Sequence, residues 1–154
     1  MGTATVINGV DGLKALVGQH VGYSDYVEIT QERVNQFAEA TGDFQWIHVE
    51  PERARKESPF GGPIAHGYLT LALGPYLGPM VYQVSGVKMG VNYGANKVRF
   101  MAPVPIGAKV RLGAKLLGVD EIAGGVQALF EYTFECEGAT KPSCVAEVIF
   151  RMYV

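Results

Sequence analysis

The sequence predicts one α+β domain over residues 1–154, in which an antiparallel β-sheet wraps one long central helix. A chain of this length is typical of a single domain. Helical patterns fill the first half and strand patterns the second half, an order that favours α+β over alternating β–α–β units. The segment 64–77 is apolar on nearly every face, which predicts a helix surrounded by protein on all sides. Within it, Gly74-Pro75 predicts a kink or an early end.

The elements predicted in the first half of the chain follow from local signals. Residues 11–17 place apolar side chains at helical spacing behind an aspartate that favours the N-cap. Residues 26–29 alternate loosely, as in a short strand. Thr30 then favours an N-cap and Gly42 the end of the same helix. A further short helix is predicted over residues 49–56, with a proline in its first turn.

Five segments of the second half are rich in Val, Phe and Tyr and are predicted to be strands. They are residues 81–93, 96–101, 109–119, 126–137 and 143–154. A turn is predicted at Gly94-Ala95, between the first two strands. In the fourth strand, Phe130, Tyr132 and Phe134 share one face, which predicts an antiparallel sheet with one dry face. A sheet of this kind curled round a buried helix is the hot-dog fold.

Charge and cysteine content limit the classes of partner. Thirteen basic and fifteen acidic residues give a net charge of −2, and no nucleic-acid partner is expected, since such proteins normally carry a basic excess. Cys136 and Cys144 are expected to be buried free thiols in a reducing compartment. Because the chain shows neither a signal-peptide pattern nor an apolar stretch that suits a membrane span, a soluble, cytoplasmic protein is expected. A charged content of 18% is low, which predicts that another subunit covers part of the surface.

The segment TGDFQWIH, residues 41–48, places an acid and an imidazole five residues apart. Asp43 and His48 are expected in a loop that follows a helix, a common position for functional side chains. An Asp and a His aimed at one point can share a water molecule, one group taking its proton while the other orients it. An aspartate that caps a helix and a surface histidine have the same spacing, so the pair alone leaves both interpretations open.

A second group of candidates lies in PIAHGY, residues 63–68, at the start of the predicted central helix. The first turn of a helix has free backbone N–H groups, and Gly67 has no side chain to keep a ligand oxygen away. A carbonyl bound there would be polarised as in an oxyanion hole. The alternatives are close packing at Gly67 and a hydrogen-bonded core histidine at His66. Asp43, His48 and His66 match no established metal-binding spacing, so no metal is expected.

A third group of polar side chains lies in NYGANKVR, residues 92–99. Its glycine spacing does not match a phosphate-binding loop. Lys97 and Arg99 share a strand face and are able to meet a phosphate, although two solvated charges at a strand edge give the same pattern. His20 has no partner in the sequence and is expected at the surface.

The motif pair ATGDFQWIHVEPERA (40–54) and PFGGPIAHGYLTLAL (59–73) resembles the MaoC-like dehydratases, the R-specific enoyl-CoA hydratase group. Together with GVNYGANKVRFMAPVPIGAKVR (90–111), it is most similar to their NodN-like branch, which includes mycobacterial hydratases. The resemblance runs from about Gly22 to the C-terminus. The two motifs together are specific for this family, whereas neither motif is specific for it alone.

The resemblance implies a hot-dog homodimer that adds water reversibly to the trans-2-enoyl thioester of coenzyme A and forms an R-3-hydroxyacyl product. The family's catalytic Asp and His fall on Asp43 and His48, and its oxyanion N–H falls on Gly67. The acyl-CoA substrate carries the coenzyme A, and no further cofactor is expected. The candidates for substrate contacts are Gln45, Ala65, His66, Tyr93, Asn96 and Lys97.

The chain departs from the usual hydratase motif, Asp-x-Asn-Pro-[aliphatic]-His, at Gln45-Trp46. The Asp–His pair is intact, but a longer amide and a large ring replace Asn and Pro, which leaves the pocket shape and the acyl chain length open. Two other functions are compatible with the fold. A hot-dog thioesterase would activate water toward the carbonyl carbon and would not require His48, and a non-catalytic acyl-CoA-binding or partner subunit would keep the fold alone.

Overall fold

The computed structural model describes residues 2–154, so the first residue of the predicted domain lies outside it. Six helices and eight strands occur among these residues. The helices are α1 (Gly9–Ala15), α2 (Gln31–Thr41), α3 (Trp46–Val49), α4 (Pro51–Glu57), α5 (Gly67–Ala72) and α6 (Gly74–Val81). The strands are β1 (Thr5–Ile7), β2 (His20–Tyr23), β3 (Val27–Glu28), β4 (Tyr82–Val84), β5 (Met89–Phe100), β6 (Lys109–Ile122), β7 (Gly125–Cys136) and β8 (Cys144–Tyr153).

The main sheet is antiparallel, has the strand order β2-β6-β7-β8-β5, and wraps the helical segment α5–α6. β3 also pairs with β6, next to β2 on the same edge of that strand, and is therefore not part of the linear strand order. β1 and β4 form a separate parallel pair. The predicted hot-dog arrangement is therefore confirmed. The strand predicted over residues 26–29 is confirmed as β3, whereas the sequence analysis did not predict β1 or β2.

The central helical segment consists of two helices, α5 and α6, which meet at Leu73. The kink or early end predicted at Gly74-Pro75 is therefore confirmed, whereas a single long helix is not observed over residues 64–77. Pro75 has no backbone N–H, so it cannot continue the hydrogen-bond ladder of the first helix. The chain also enters this region in extended form. Ile64 forms an isolated bridge with Pro105 before α5 begins.

The central helical segment has one buried face and one exposed face, so the prediction that protein surrounds it on all sides is wrong for a single chain. Leu69, Leu73 and Leu77 follow one another at every fourth position and are buried. On the other face, Tyr68 is 71% exposed and Tyr76 is 51% exposed. The single chain thus leaves apolar area of this helix in contact with solvent.

The two strands predicted around Gly94-Ala95 are one strand, β5, which runs through the glycine without a turn. Its pairing with β8 shifts register between Asn92 and Gly94 and again between Asn96 and Arg99. A β-bulge accommodates a glycine that a sequence pattern assigns to a turn. The N-terminal end of the predicted first strand was also wrong, because α6 extends to Val81 and β4 follows it.

The first half of the chain differs from the predictions mainly at element boundaries. The Thr30 hydroxyl accepts a hydrogen bond from the N–H of Arg33, and Gly42 ends α2 with φ 83°, so both predicted caps are confirmed. The first helix begins earlier than predicted, with Asn8 rather than Asp11 at its N-cap. The helix predicted over residues 49–56 begins at Pro51.

The core lies between the helical segment and the inner face of the sheet. Phe130, Tyr132 and Phe134 on β7 are buried, as the alternation predicted. Cys136 and Cys144 are buried free thiols, which confirms their predicted state. No helix within residues 2–154 is long and apolar enough to cross a bilayer.

Candidate active site

The predicted acid, Asp43, follows directly after the end of α2. Gly42 adopts the left-handed conformation that turns the chain out of the helix. One carboxylate oxygen of Asp43, Oδ1, accepts a hydrogen bond from the backbone N–H of Gln45 at 3.2 Å. The side chain remains 49% exposed, so the other oxygen is accessible to solvent or a ligand.

The predicted imidazole, His48, lies on the four-residue helix α3 rather than in a loop, which corrects the expected position. Its side chain is buried, and Nδ1 lies 2.7 Å from the backbone oxygen of Ile64. A carbonyl oxygen only accepts, so Nδ1 carries the hydrogen and the neutral ring leaves Nε2 as a free acceptor. The Gln31 side chain fixes α3 further by donating to the backbone oxygen of His48 at 2.7 Å.

The environment of His48 favours the neutral ring. Burial lowers the pKa of His48, and the neighbouring His66 lowers it further. The hydrogen bond to Ile64 and the charge of Asp43 act in the opposite direction, but they do not reverse the shift. A neutral imidazole with a free Nε2 has the form that a proton acceptor requires.

The structure brings three of the predicted site residues together. One donor atom each of Asp43, His48 and His66 lies within 4.8 Å of the others. The rings of His48 and His66 are stacked, with centroids 4.0 Å apart and an interplanar angle of 26°. Three such donors are a possible metal-ligand set, but Nδ1 of His48 and Nε2 of His66 each already lie at a backbone carbonyl oxygen. The absence of a metal therefore stays a prediction.

Gly67 is the first residue of α5, and within residues 2–154 its N–H has no hydrogen-bond acceptor. A Cβ at this position would lie 3.1 Å from ring atoms of Phe100, closer than most such contacts. The glycine thus permits the close approach of Phe100 and also leaves the backbone N–H uncovered. Both interpretations of Gly67 that the sequence left open are compatible with this geometry.

A cavity of about 320 Å³ lies beside Gly67. Most of its lining is apolar, which suits a hydrocarbon chain. The lining residues are Phe60, Ile64, Ala65, Gly67, Thr70, Phe100, Met101, Ala102, Pro103, Val104 and Ser143. Asp43, His48 and His66 are not among these lining residues, but the backbone oxygen of Ile64, which is one of them, lies 2.7 Å from Nδ1 of His48.

The remaining substrate-binding candidates lie in three places: beside Asp43, in the cavity lining and along β5. Gln45 is exposed beside Asp43, and Ala65 lines the cavity. Tyr93, Asn96 and Lys97 lie along β5. Among residues 2–154, no hydrogen bond or ion pair joins these three side chains to Asp43, His48 or Gly67.

The side chains on β5 have surface partners instead. The guanidinium of Arg151 lies 3.6 Å from the centroid of the Tyr93 ring. The ammonium of Lys97 lies 3.7 Å from a carboxylate oxygen of Glu147. Lys97 also adopts φ 46°, the positive value that non-glycine residues rarely show.

Three contributors to the site were not identified from the sequence. They are the backbone oxygen of Ile64, the Gln31 side chain and the Phe100 ring. Gln31 lies seventeen residues before His48, and Phe100 lies on a distant strand. No local pattern signals such contacts, because only the fold brings these residues together.

Comparisons with known proteins agree with this architecture. Residues 13–132 match the family described as MaoC like domain. The chain is 57% identical over 143 residues to 3-hydroxyacyl-thioester dehydratase Z of Mycobacterium tuberculosis (strain ATCC 25618 / H37Rv). The alignment covers 92% of this chain and 94% of that protein. It is 42% identical over 139 residues to nodulation protein N of Rhizobium leguminosarum bv. viciae, which covers 86% of this chain and 84% of that one.

Solved structures share the fold at lower sequence identity. The (R)-hydratase from A. caviae involved in PHA biosynthesis has a TM-score of 0.71 and 22% identity, and it covers 87% of this chain and 94% of that chain. A monoamine oxidase regulatory protein from Archaeoglobus has a TM-score of 0.77 and 21% identity over 99% of both chains. At these identities the likeness supports the fold alone.

Proposed function

The chain belongs to the MaoC-like dehydratase family and is a hydro-lyase, and from this premise we propose that it is an R-specific hydratase of trans-2-enoyl-CoA thioesters. The observation that carries the proposal is the meeting of Asp43 and His48, whose donor atoms lie within 4.8 Å of each other. Gly67, whose backbone N–H has no acceptor among residues 2–154, lines an apolar cavity. The relative named 3-hydroxyacyl-thioester dehydratase Z supports the same class of substrate.

In the proposed reaction, Asp43 and His48 hold one water molecule. The free Nε2 of His48 accepts a proton from that water while the water oxygen bonds to C3 of the enoyl group. Electrons of the C2–C3 double bond move onto the thioester oxygen, which accepts a hydrogen bond from the N–H of Gly67. The proton that Nε2 of His48 accepted is then delivered to C2 of the enolate, so that H and OH of one water are added, the ring returns to its neutral form and no other group leaves. Dehydration is the reverse sequence.

The apolar cavity beside Gly67 would hold the acyl chain, and Ala65 would form part of its wall. Gln45 and the side chains of His66, Tyr93, Asn96 and Lys97 stay predicted contacts to the rest of the thioester. The reaction as proposed needs no metal or organic cofactor, because the backbone N–H stabilises the enolate.

The test is the loss of conjugated-enoyl absorbance when purified protein meets crotonyl-CoA, with free thiol measured in parallel. We expect rapid loss in the wild type without release of thiol. Asp43→Asn and His48→Ala are each expected to lower kcat by about 100-fold to 10,000-fold, the usual contribution of general acid–base groups. The matched controls are Asp25→Asn and His20→Gln, which alter the same residue types outside the site.

Loss of absorbance that appears only together with free thiol would replace the proposal with the thioesterase function. A wild type that changes neither signal, with short or longer enoyl chains, would contradict catalysis and favour a binding or partner subunit. Full activity in Asp43→Asn would contradict the assignment of the pair.

We also propose that the protein is a homodimer in which a second copy covers β5 and the exposed face of α5–α6. β5 has twelve residues and pairs with β8 alone, so its other edge presents unpaired backbone groups. Met89, Val91 and Tyr93 are exposed on this strand, and an apolar surface of this kind marks an association site.

A location in the cytoplasm stays a prediction.

Sedimentation equilibrium tests the dimer. We expect twice the mass of the chain for the wild type and a shift toward the monomer for Val91→Lys, which places a charge on the uncovered strand. The control is Lys88→Ala, just outside β5. A wild type that sediments as a monomer at micromolar concentration would contradict the proposal.

A further inference from the structure

His66 has no role in the reaction described above, although it is the most buried of the three side chains that meet there. It is 2% exposed, whereas Asp43 is 49% exposed. His66 is the N-cap residue of α5, but its side chain makes no capping hydrogen bond to that helix. The ring instead packs against His48 and against Phe37, whose centroid lies 4.9 Å away.

The polar contact of His66 is with the backbone of the predicted acid. Its Nε2 lies 3.0 Å from the backbone oxygen of Asp43, across 23 residues of sequence. A carbonyl oxygen only accepts, so Nε2 carries the hydrogen and donates it. Asp43 otherwise lies at a helix end, where its own N–H makes a long contact of 3.4 Å to the Thr41 hydroxyl. The bond from His66 is therefore the link between this exposed turn and the buried start of α5.

The ring of His66 also stacks on the ring of His48 and limits its movement. The stacked pair is held at both ends, since Nδ1 of His48 donates to Ile64 and Nε2 of His66 donates to Asp43. The remaining nitrogen of His66, Nδ1, is buried and has no partner within residues 2–154. The contacts of His66 thus hold its two neighbours, Asp43 and His48, in place.

We propose that His66 is a positioning residue for the Asp–His pair: its Nε2–H holds the backbone of Asp43, and its ring holds His48 by stacking. The carboxylate and the imidazole are then kept aimed at one water molecule. This inference rests on the proposed hydratase activity. It differs from direct substrate binding, which was the role predicted for His66 from the sequence, because positioning affects kcat while substrate contact affects KM.

Two variants separate the two contacts. His66→Phe keeps a ring to stack on His48 but loses the donor to Asp43, and His66→Gln loses the ring but keeps an N–H at similar reach. We expect His66→Phe to lower kcat for crotonyl-CoA hydration by about 100-fold, the cost of a misplacement near 1 Å, with little change in KM. His66→Gln is expected to recover at least about tenfold of that loss.

The control is Phe130→Leu, which disturbs aromatic packing on β7 against Tyr82 and Tyr132 and not against the His66 ring. Its kcat is expected to stay near that of the wild type, even where its Tm falls. Thermal unfolding of each variant shows whether a loss of kcat follows a loss of folded protein. The crotonyl-CoA assay of the wild type, run beside Asp43→Asn, tests the proposed function separately.

The outcomes are distinct. An active wild type with full kcat in His66→Phe would overturn the positioning role, because the hydrogen bond to Asp43 would then be dispensable. A change confined to KM would replace it with substrate contact. An inactive wild type would overturn the proposed function and this inference with it, whereas loss in His66→Phe with rescue by His66→Gln would support it.

Discussion

The side chains around Asp43 and those along β5 are held in different ways. At the first place, imidazole and carboxylate groups are fixed by hydrogen bonds with the backbone, and both imidazoles are buried. On β5, Lys97 contacts Glu147 across 3.7 Å, and its side chain is 77% exposed. Exposed pairs of this kind contribute at most about 1 kcal/mol and leave long side chains mobile.

The difference between the two regions matches two different functions, proton transfer and the attraction of a charged ligand. A reaction that moves a proton requires groups held to within a fraction of an ångström, which backbone hydrogen bonds and burial provide. A charged part of a ligand is attracted over longer distances and tolerates mobile partners. We therefore expect changes near Asp43 to affect kcat and changes on β5 to affect KM.

Outside the side chains of Asp43, His48 and His66, the largest effect is expected at Gly67. Gly67→Ala places a Cβ against the Phe100 ring, 3.1 Å away, and would displace the N–H that the proposed reaction assigns to the thioester oxygen. We expect kcat to fall by about 100-fold, as on loss of an oxyanion donor. The double variant Gly67→Ala/Phe100→Leu relieves the clash and is expected to recover Tm but not kcat. Recovery of both would assign Gly67 to packing alone.

A second effect concerns the pH dependence of stability. The pKa of His48 is lowered from its ordinary 6.5, chiefly by burial. Below this value the unfolded chain binds a proton that the folded chain resists, so stability is complete above pH 6.5 and declines as the pH falls toward the lowered pKa. Urea unfolding at about pH 7.5 and about pH 5.5 measures the decline.

His48→Gln is expected to lose less stability between these two pH values than the wild type does, because Gln does not titrate. His20→Gln, which replaces an exposed imidazole, is expected to show the decline of the wild type. Equal pH dependence in all three proteins would mean that burial does not shift His48 on folding.

The smallest effect is expected on β5. Lys97→Gln removes one exposed charge and is expected to change the free energy of unfolding by less than about 0.5 kcal/mol. If Lys97 meets a phosphate of coenzyme A, KM for crotonyl-CoA rises a few-fold and kcat stays unchanged. Lys115→Gln, on β6, is the control. A loss of kcat without a change in KM would contradict the division between the two regions.

Local patterns predicted the parts of the fold that depend on nearest neighbours. The caps of α2, the alternation of β7 and the burial of both cysteines follow from residue type and spacing. The break in the central helix also follows from a local signal, Gly74-Pro75, but the continuity of β5 does not, because a β-bulge accommodates Gly94. A glycine in a bulge and a glycine in a turn look alike in sequence.

The candidate site divides in the same way. The sequence by itself determined which reactive groups are available, because residue type sets the chemistry of a side chain. These groups are an acid and an imidazole five residues apart, and a glycine beside a second imidazole. Only the tertiary structure decided that Ile64 orients His48, that Phe100 packs on Gly67 and that His66 donates to Asp43. These contacts join residues 16 to 33 positions apart, and no local energy term specifies them until the sheet has closed round α5 and α6.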